Sequence, residues 1–190
     1  MKNVIIVILL VLLLFVIFSA LAGRYTNIVE RRAYIYSRWA EVDEQIQRRN
    51  EPIIKLFKIL RASYEANEKH IMGNMRFARS KWVQALTEPD RVDGAELLDR
   101  ACTKMILAIA KCPDLNANPE IIKLREQIAE IENRLGIERI RYNEAVKMYD
   151  LSIAYFPDNI VAAIFKLRPA EDYYFHPEKK PLVVPDLSFN

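Results

Sequence analysis

Two histidines, His70 and His176, and two cysteines, Cys102 and Cys112, carry the readiest metal or nucleophilic chemistry in this 190-residue chain. Neither histidine has a second His, Cys or acid pair at metal-ligand spacing on a shared face. Glu68-Lys69-His70 reads as a solvated helix face. If the cysteines share a helix they lie about 15 Å apart, beyond disulfide reach. They read as small buried apolar residues, and two unpaired thiols favour a reducing compartment. There is no Gly-rich phosphate loop, no Gly-x-Ser-x-Gly and no His-Glu-x-x-His. The sequence therefore assigns no catalytic residue, no cofactor and no metal ligand, and the chain reads as a non-enzyme.

Polar side chains concentrate elsewhere. Glu132, Asn133, Arg134, Arg139 and Asn143 fall on one long helical stretch, and Asn67 interrupts the apolar stripe of another. Three readings are open: a solvated face with helix–helix hydrogen bonds, a partly buried polar layer that fixes helix register, or a catalytic or ligand-binding cluster. A second group is basic. Arg24, Arg31, Arg32 and Arg38 follow an uncharged apolar run, where they act as topology determinants or hold anionic headgroups. The formal net charge of +3 is too small and scattered for a nucleic-acid partner.

That apolar run, Val4 to Ala22, makes a helix of roughly 28 Å, which matches a bilayer core of about 30 Å. It reads as a retained transmembrane anchor; the rival reading is a cleavable signal peptide ending at Ala20-Leu21-Ala22. Most flanking Lys and Arg are C-terminal to it. The positive-inside rule then puts the N-terminus outside and the bulk of the chain in the cytoplasm.

Four soluble helices follow from periodicity. The first runs from Arg24 to Asn50, continuous with the anchor, with Ile28, Ile35, Trp39, Val42 and Ile46 on one stripe. Asn50-Glu51-Pro52 is a restart signal for a second, to Leu86, whose interior Gly73 suits close helix approach. Asp93-Gly94-Ala95-Glu96 has capping-box spacing for a third, to Lys111, with Leu97, Ala101, Met105, Ala108 and Cys112 inward. Asn118-Pro119-Glu120 opens the fourth, to Phe156, with Leu124, Ile128, Leu135, Tyr142, Tyr149 and Ile153 on one face. Pro157-Asp158 precedes a short apolar segment, Ile160 to Phe165. These pieces predict an all-α protein: an anchor over 1–23, a long antiparallel up-down four-helix bundle over 24–168, and an extended Pro-rich tail over 169–190. The lengths, roughly 40, 52, 28 and 57 Å, leave the third helix short. A returning fourth helix brings Ile160 to Phe165 and Tyr173-Tyr174-Phe175 toward the lipid surface.

The chain resembles the LemA family. The likeness rests on Glu132-Asn133-Arg134, Arg139, Tyr142-Asn143-Glu144-Ala145-Val146, Tyr149 and Phe156-Pro157. Trp39 to Val42 with Asp43, Gln45, Gln47 and Arg48-Arg49, and Pro113-Asp114-Leu115 with Ala117-Asn118, support it. It departs from the family where Pro52 comes early and where Asn67-Glu68 stands for His-Glu. The resemblance implies a single-pass bacterial inner-membrane protein with a long helical bundle. Related members are linked to membrane organisation, including magnetosome membranes, without an established activity or ligand. The expected function is a membrane-anchored scaffold that meets the lipid bilayer and a membrane-protein partner or copies of itself. The alternatives are a lipid-surface or membrane-shaping module and a regulator with a ligand-binding polar layer.

Overall fold

A computed structural model of the chain describes residues 2–63, 68–110 and 117–176. Among these, all regular structure is helical: α1 (Lys2–Ser63), α2 (Glu68–Val83), α3 (Glu88–Ala110), α4 (Pro119–Ala154), α5 (Asp158–Phe165) and a 3-10 turn at Glu171–Tyr173. The chain divides into two compact units. The first comprises Met1–Arg38 and Glu144–Glu171, the second Trp39–Asn143 and Asp172–Asn190.

Helix α1 is the one described helix long and apolar enough to cross a membrane. From Val4 to Phe18 its large apolar side chains are each 47–72% exposed, so none of the described residues covers them. The expected continuity out of this run is present, but the expected break at Pro52 is not: Pro52 lies inside α1. Proline has no N–H for the Arg48 carbonyl. Burial outweighs that loss, because Ile53 and Leu56 extend the inward stripe of Val42 and Ile46 without a change of phase. Burying such a side chain contributes about 1.5–3 kcal/mol.

In the second unit, α1 and α4 are antiparallel: Trp39 meets Tyr142, and ten residues on Arg49 meets Glu132. Helices α2 and α3 form a hairpin across Gln84 to Thr87. Its cap differs from expectation. Thr87 Oγ1 accepts the Asp90 N–H at 3.3 Å and donates to Asp90 Oδ2 at 2.6 Å, so α3 starts at Glu88 and Pro89 sits in its first turn. Proline is favoured there, since that N–H has no intrahelical partner. Asp93 and Gly94 are thus interior, and Gly94 is the close-approach glycine. A Cβ on Gly94 would lie 2.7 Å from Trp82 Cα, whereas Gly73 is exposed with nothing within 4 Å. The buried face of α3 is wider than the expected stripe: Ala101 and Met105 are buried as expected, Ala95, Leu98, Asp99, Cys102, Ile106 and Ile109 are buried beside them, and Leu97 and Ala108 are half-buried. Asn118 caps α4 as its sequence predicts, its Oδ1 accepting the Glu120 N–H at 2.9 Å.

The first unit packs Ile28 and Ile35 of α1, Ala145, Tyr149 and Ile153 of α4, and Val161 of α5 into a small core. Lys166, in the left-handed region at φ 53°, ends α5, with Lys166 N–H on Ala163 O and Leu167 N–H on Ala162 O. That is a Schellman motif, which satisfies the last carbonyls. The following chain is tied down: Tyr149 Oη donates to Arg168 O at 3.1 Å, and Ala170 N–H donates to Asp150 Oδ1 at 2.7 Å.

Candidate functional site

Apolar seams with alternating steps of four and three build the second unit, and charges occupy four of their inward positions. On α1 the seam reads Val42, Ile46, Arg49, Ile53, Leu56. On α3 it reads Ala95, Asp99, Cys102, Ile106, Ile109. On α4 it reads Ile128, Glu132, Leu135, Arg139, Tyr142. Residues at such spacing face the partner helices, so Arg49, Asp99, Glu132 and Arg139 are forced into one layer.

Arg49 is fully buried. Its Nη1 lies 2.7 Å from Asp99 Oδ1 and also donates to Glu132 Oε1. Asp99 is buried too, and its Oδ2 accepts from Arg139 Nη2. Two cations and two anions thus neutralise each other across three helices. Burial alone disfavours the Arg49 charge, but the flanking carboxylates more than reverse this, and its pKa is raised. Asp99 is the shared centre: without it both guanidinium groups lose a partner.

Cys102 stands among these charges and is a free, buried thiol. Burial pushes its pKa up to about 11, against the opposing pull of Arg49. A thiol in that state is protonated at neutral pH and is no nucleophile.

The layer continues into an aromatic box. Trp39 and Phe175 are stacked, with centroids 5.8 Å apart and planes 4° from parallel. Tyr142 stands edge-on to both, at 5.6 and 5.5 Å. The Arg139 guanidinium, held by Asp99, covers the Phe175 ring at 5.0 Å. Asn143 fixes the Phe175 backbone at both poles, its Oδ1 accepting the N–H at 2.9 Å and its Nδ2 donating to the carbonyl at 2.8 Å. His176 N–H donates to Glu96 Oε1 at 3.1 Å. Phe175 is 4% exposed, so it belongs to the bundle core and not to a lipid-facing surface.

Of the polar layer expected from sequence, Glu132, Arg139 and Asn143 are brought together. Asn133 is exposed, and Arg134 is an exposed partner of Glu130 at 2.6 Å. Asn67 and Cys112 lie outside the described residues. Arg49 and Asp99 complete the layer and were not among its expected members. Of the basic group, Arg31 and Arg32 are exposed; Arg24 pairs with Asp158 at 3.4 Å, and Arg38 lies 5.0 Å over the Tyr34 ring.

A shallow groove of about 320 Å³ lies on the second unit between α1 and α4, lined by Gln45, Arg48, Lys55, Gln127 and Arg134 among others. Its charges are already matched, Arg48 to Glu44, Lys55 to Glu51 and Arg134 to Glu130. None of the buried charged residues lines it. Among the described residues no group of three or more His, Cys, Asp or Glu is placed to hold a metal ion. An ion-paired layer of this kind fixes how the three helices meet.

A family model described as the LemA family matches residues 38–189. The chain belongs to the LemA family. The match opens beside Trp39 and spans the residues of this cluster, from Arg49 through Asp99, Glu132 and Arg139 to Phe175. The curated proteins contain no match to the chain.

Proposed function

We propose that this LemA protein is a single-pass, membrane-anchored scaffold of the bacterial inner membrane, non-enzymatic, which organises the membrane by holding a rigid helical bundle against a membrane-protein partner or further copies of itself. The observation that carries this reading is α1. One unbroken helix bears an apolar run that none of the described residues covers, and then supplies the inward seam of the bundle. Exposed apolar side chains over a bilayer's thickness need lipid around them. The interior of the bundle supports a mechanical role: its charges are paired and its one described thiol is protonated. The remaining faces of α4, with exposed Ile137 and Ile140, are the surface a partner would meet.

Arg24, Arg31, Arg32 and Arg38 favour a cytoplasmic bundle with the N-terminus outside. Crosslinking at native abundance, followed by co-purification in mild detergent, tests the scaffold role. A recurrent membrane-protein partner or a homo-oligomer is expected; a lone monomer in every preparation refutes it. A reporter fused at residue 190 tests orientation, with cytoplasmic activity expected.

A further inference from the structure

Helix α5 is fastened to α1 at both of its ends, and both fastenings fall at the same level. Asp158, its first residue, takes Arg24 at 3.4 Å. Phe165, its last, takes Tyr25, with ring centroids 4.4 Å apart. An eight-residue helix lying along α1 would spread these contacts over about 10 Å, or seven residues of α1. They fall instead on adjacent residues. Helix α5 therefore crosses α1 steeply, within a turn of Ala22, where the apolar run ends.

The crossing buries only part of α5. Val161 and Ala162 face the first unit's core, while Ile160, Ile164 and Phe165 stay about half exposed and the preceding Tyr155 and Phe156 are exposed still more. Five large apolar side chains within eleven residues make a patch of the kind that marks an interaction surface. Lys166 and Arg168 follow it, and Arg24 stands beside it, all exposed.

We infer that α5 is an interfacial helix: it lies in the plane of the same bilayer leaflet that α1 leaves, with Ile160, Ile164 and Phe156 in the acyl boundary and Arg24, Lys166 and Arg168 among the headgroups. This rests on the reading of α1 as a membrane span, because the span sets the level at which α5 is held. The occupant is lipid, since bilayer surrounds the last turn of the run and the α5 crossing begins two residues beyond it. The chain thereby gains a second lipid contact that fixes the rotation of α1 about its own axis, which one span cannot do. A transverse amphipathic helix with basic flanks is the form that such contacts take.

The test uses the full chain in vesicles of phosphatidylcholine and phosphatidylglycerol, with a spin label at one introduced cysteine and Cys102 and Cys112 replaced by alanine. Labels go at Leu12→Cys in the run, at Ile160→Cys or Ile164→Cys on α5, and at exposed Arg100→Cys on α3. Oxygen and aqueous nickel collision rates give depth. The expected depth at positions 160 and 164 is about 5–10 Å below the phosphates, with position 12 deeper and position 100 in water. If position 12 is in lipid while 160 and 164 are in water, the interfacial helix is refuted and the anchor stands. If 160 and 164 are shielded from both reagents, a protein covers the patch, and the inference is again overturned. If position 12 is itself in water, the anchor reading has failed and this inference falls with it.

Discussion

Replacing Arg49 by methionine keeps most of the side-chain volume and removes the guanidinium. Asp99 then keeps only Arg139, and Glu132, whose side chain is 16% exposed, loses the cation it is paired with. Removing one partner of a buried ion pair costs about 3–5 kcal/mol, because the opposite charge stays behind without compensation. Glu132 reaches some water, so the lower end applies: about 3 kcal/mol, a large share of the 5–15 kcal/mol by which a domain of this size is stable. The triple variant Arg49→Met, Asp99→Leu, Glu132→Leu removes both anions with the cation. Arg139, 22% exposed, is then left to turn toward solvent, and stability should return to within about 1 kcal/mol of the parent. Urea unfolding of the full chain in detergent, followed by tryptophan fluorescence and circular dichroism, gives each free energy by linear extrapolation. Urea leaves ionic strength unchanged. The exposed pair Glu130–Arg134 is the control, and Arg134→Met should cost no more than about 0.5 kcal/mol. A loss below about 1 kcal/mol for Arg49→Met would place Arg49 in the range of surface pairs and refute the account of a closed, self-neutralised layer.

Three further outcomes follow from the same structure. Asn143→Ala leaves the Phe175 N–H and carbonyl unpaired; it should cost about 1–3 kcal/mol and shift Trp39 emission, and unchanged emission would mean Phe175 holds its place without the clamp. Gly94→Ala puts a methyl 2.7 Å from the Trp82 backbone, so overpacking of about 1–3 kcal/mol should exceed the gain of up to about 1 kcal/mol in helix propensity; Gly73→Ala, in open space, should show the gain alone, and thermal unfolding of both variants separates the two effects. Burial holds the Cys102 pKa at about 11 against an ordinary 9.0; its contribution is whole below pH 9 and is lost as pH rises toward 11, about 2–3 kcal/mol for a shift of two units. The difference in unfolding free energy between the parent and Cys102→Ala, measured from pH 8 to 11, should narrow by that amount, and a constant difference would show that the thiol does not titrate differently on unfolding.

What the sequence made legible follows from which signals are local. The inward stripe from Ile28 to Ile46, the cap at Asn118 and the unbroken passage out of the apolar run depend on a few neighbouring residues, and each is present as expected. The failures come where a tertiary term overrides a local one. Pro52 is a strong breaker in isolation, but the seam from Val42 through Ile46 and Arg49 to Ile53 and Leu56 keeps one phase across it. Taking Pro52 as a boundary cut that seam and hid Arg49, which stands where an apolar residue was due. Asp99 was hidden by the wrong cap: starting α3 at Asp93 instead of at Glu88, after the Thr87 cap, went with an inward face that held Ala101 and Met105 but left out the adjoining buried line through Ala95, Asp99, Cys102 and Ile106. With both seams in phase, Arg49, Asp99, Glu132 and Arg139 each interrupt a four–three repeat, and complementary charges at inward positions of different helices must meet or remain uncompensated. Phe175 could not have been found this way. It follows a proline and a 3-10 turn, carries no periodicity, and is recognised as core only by the Trp39 and Tyr142 rings it packs against and the Asn143 amide that holds its backbone. The register of the bundle is therefore written in charges placed on apolar seams, and its closure in one aromatic residue that only the assembled helices can select.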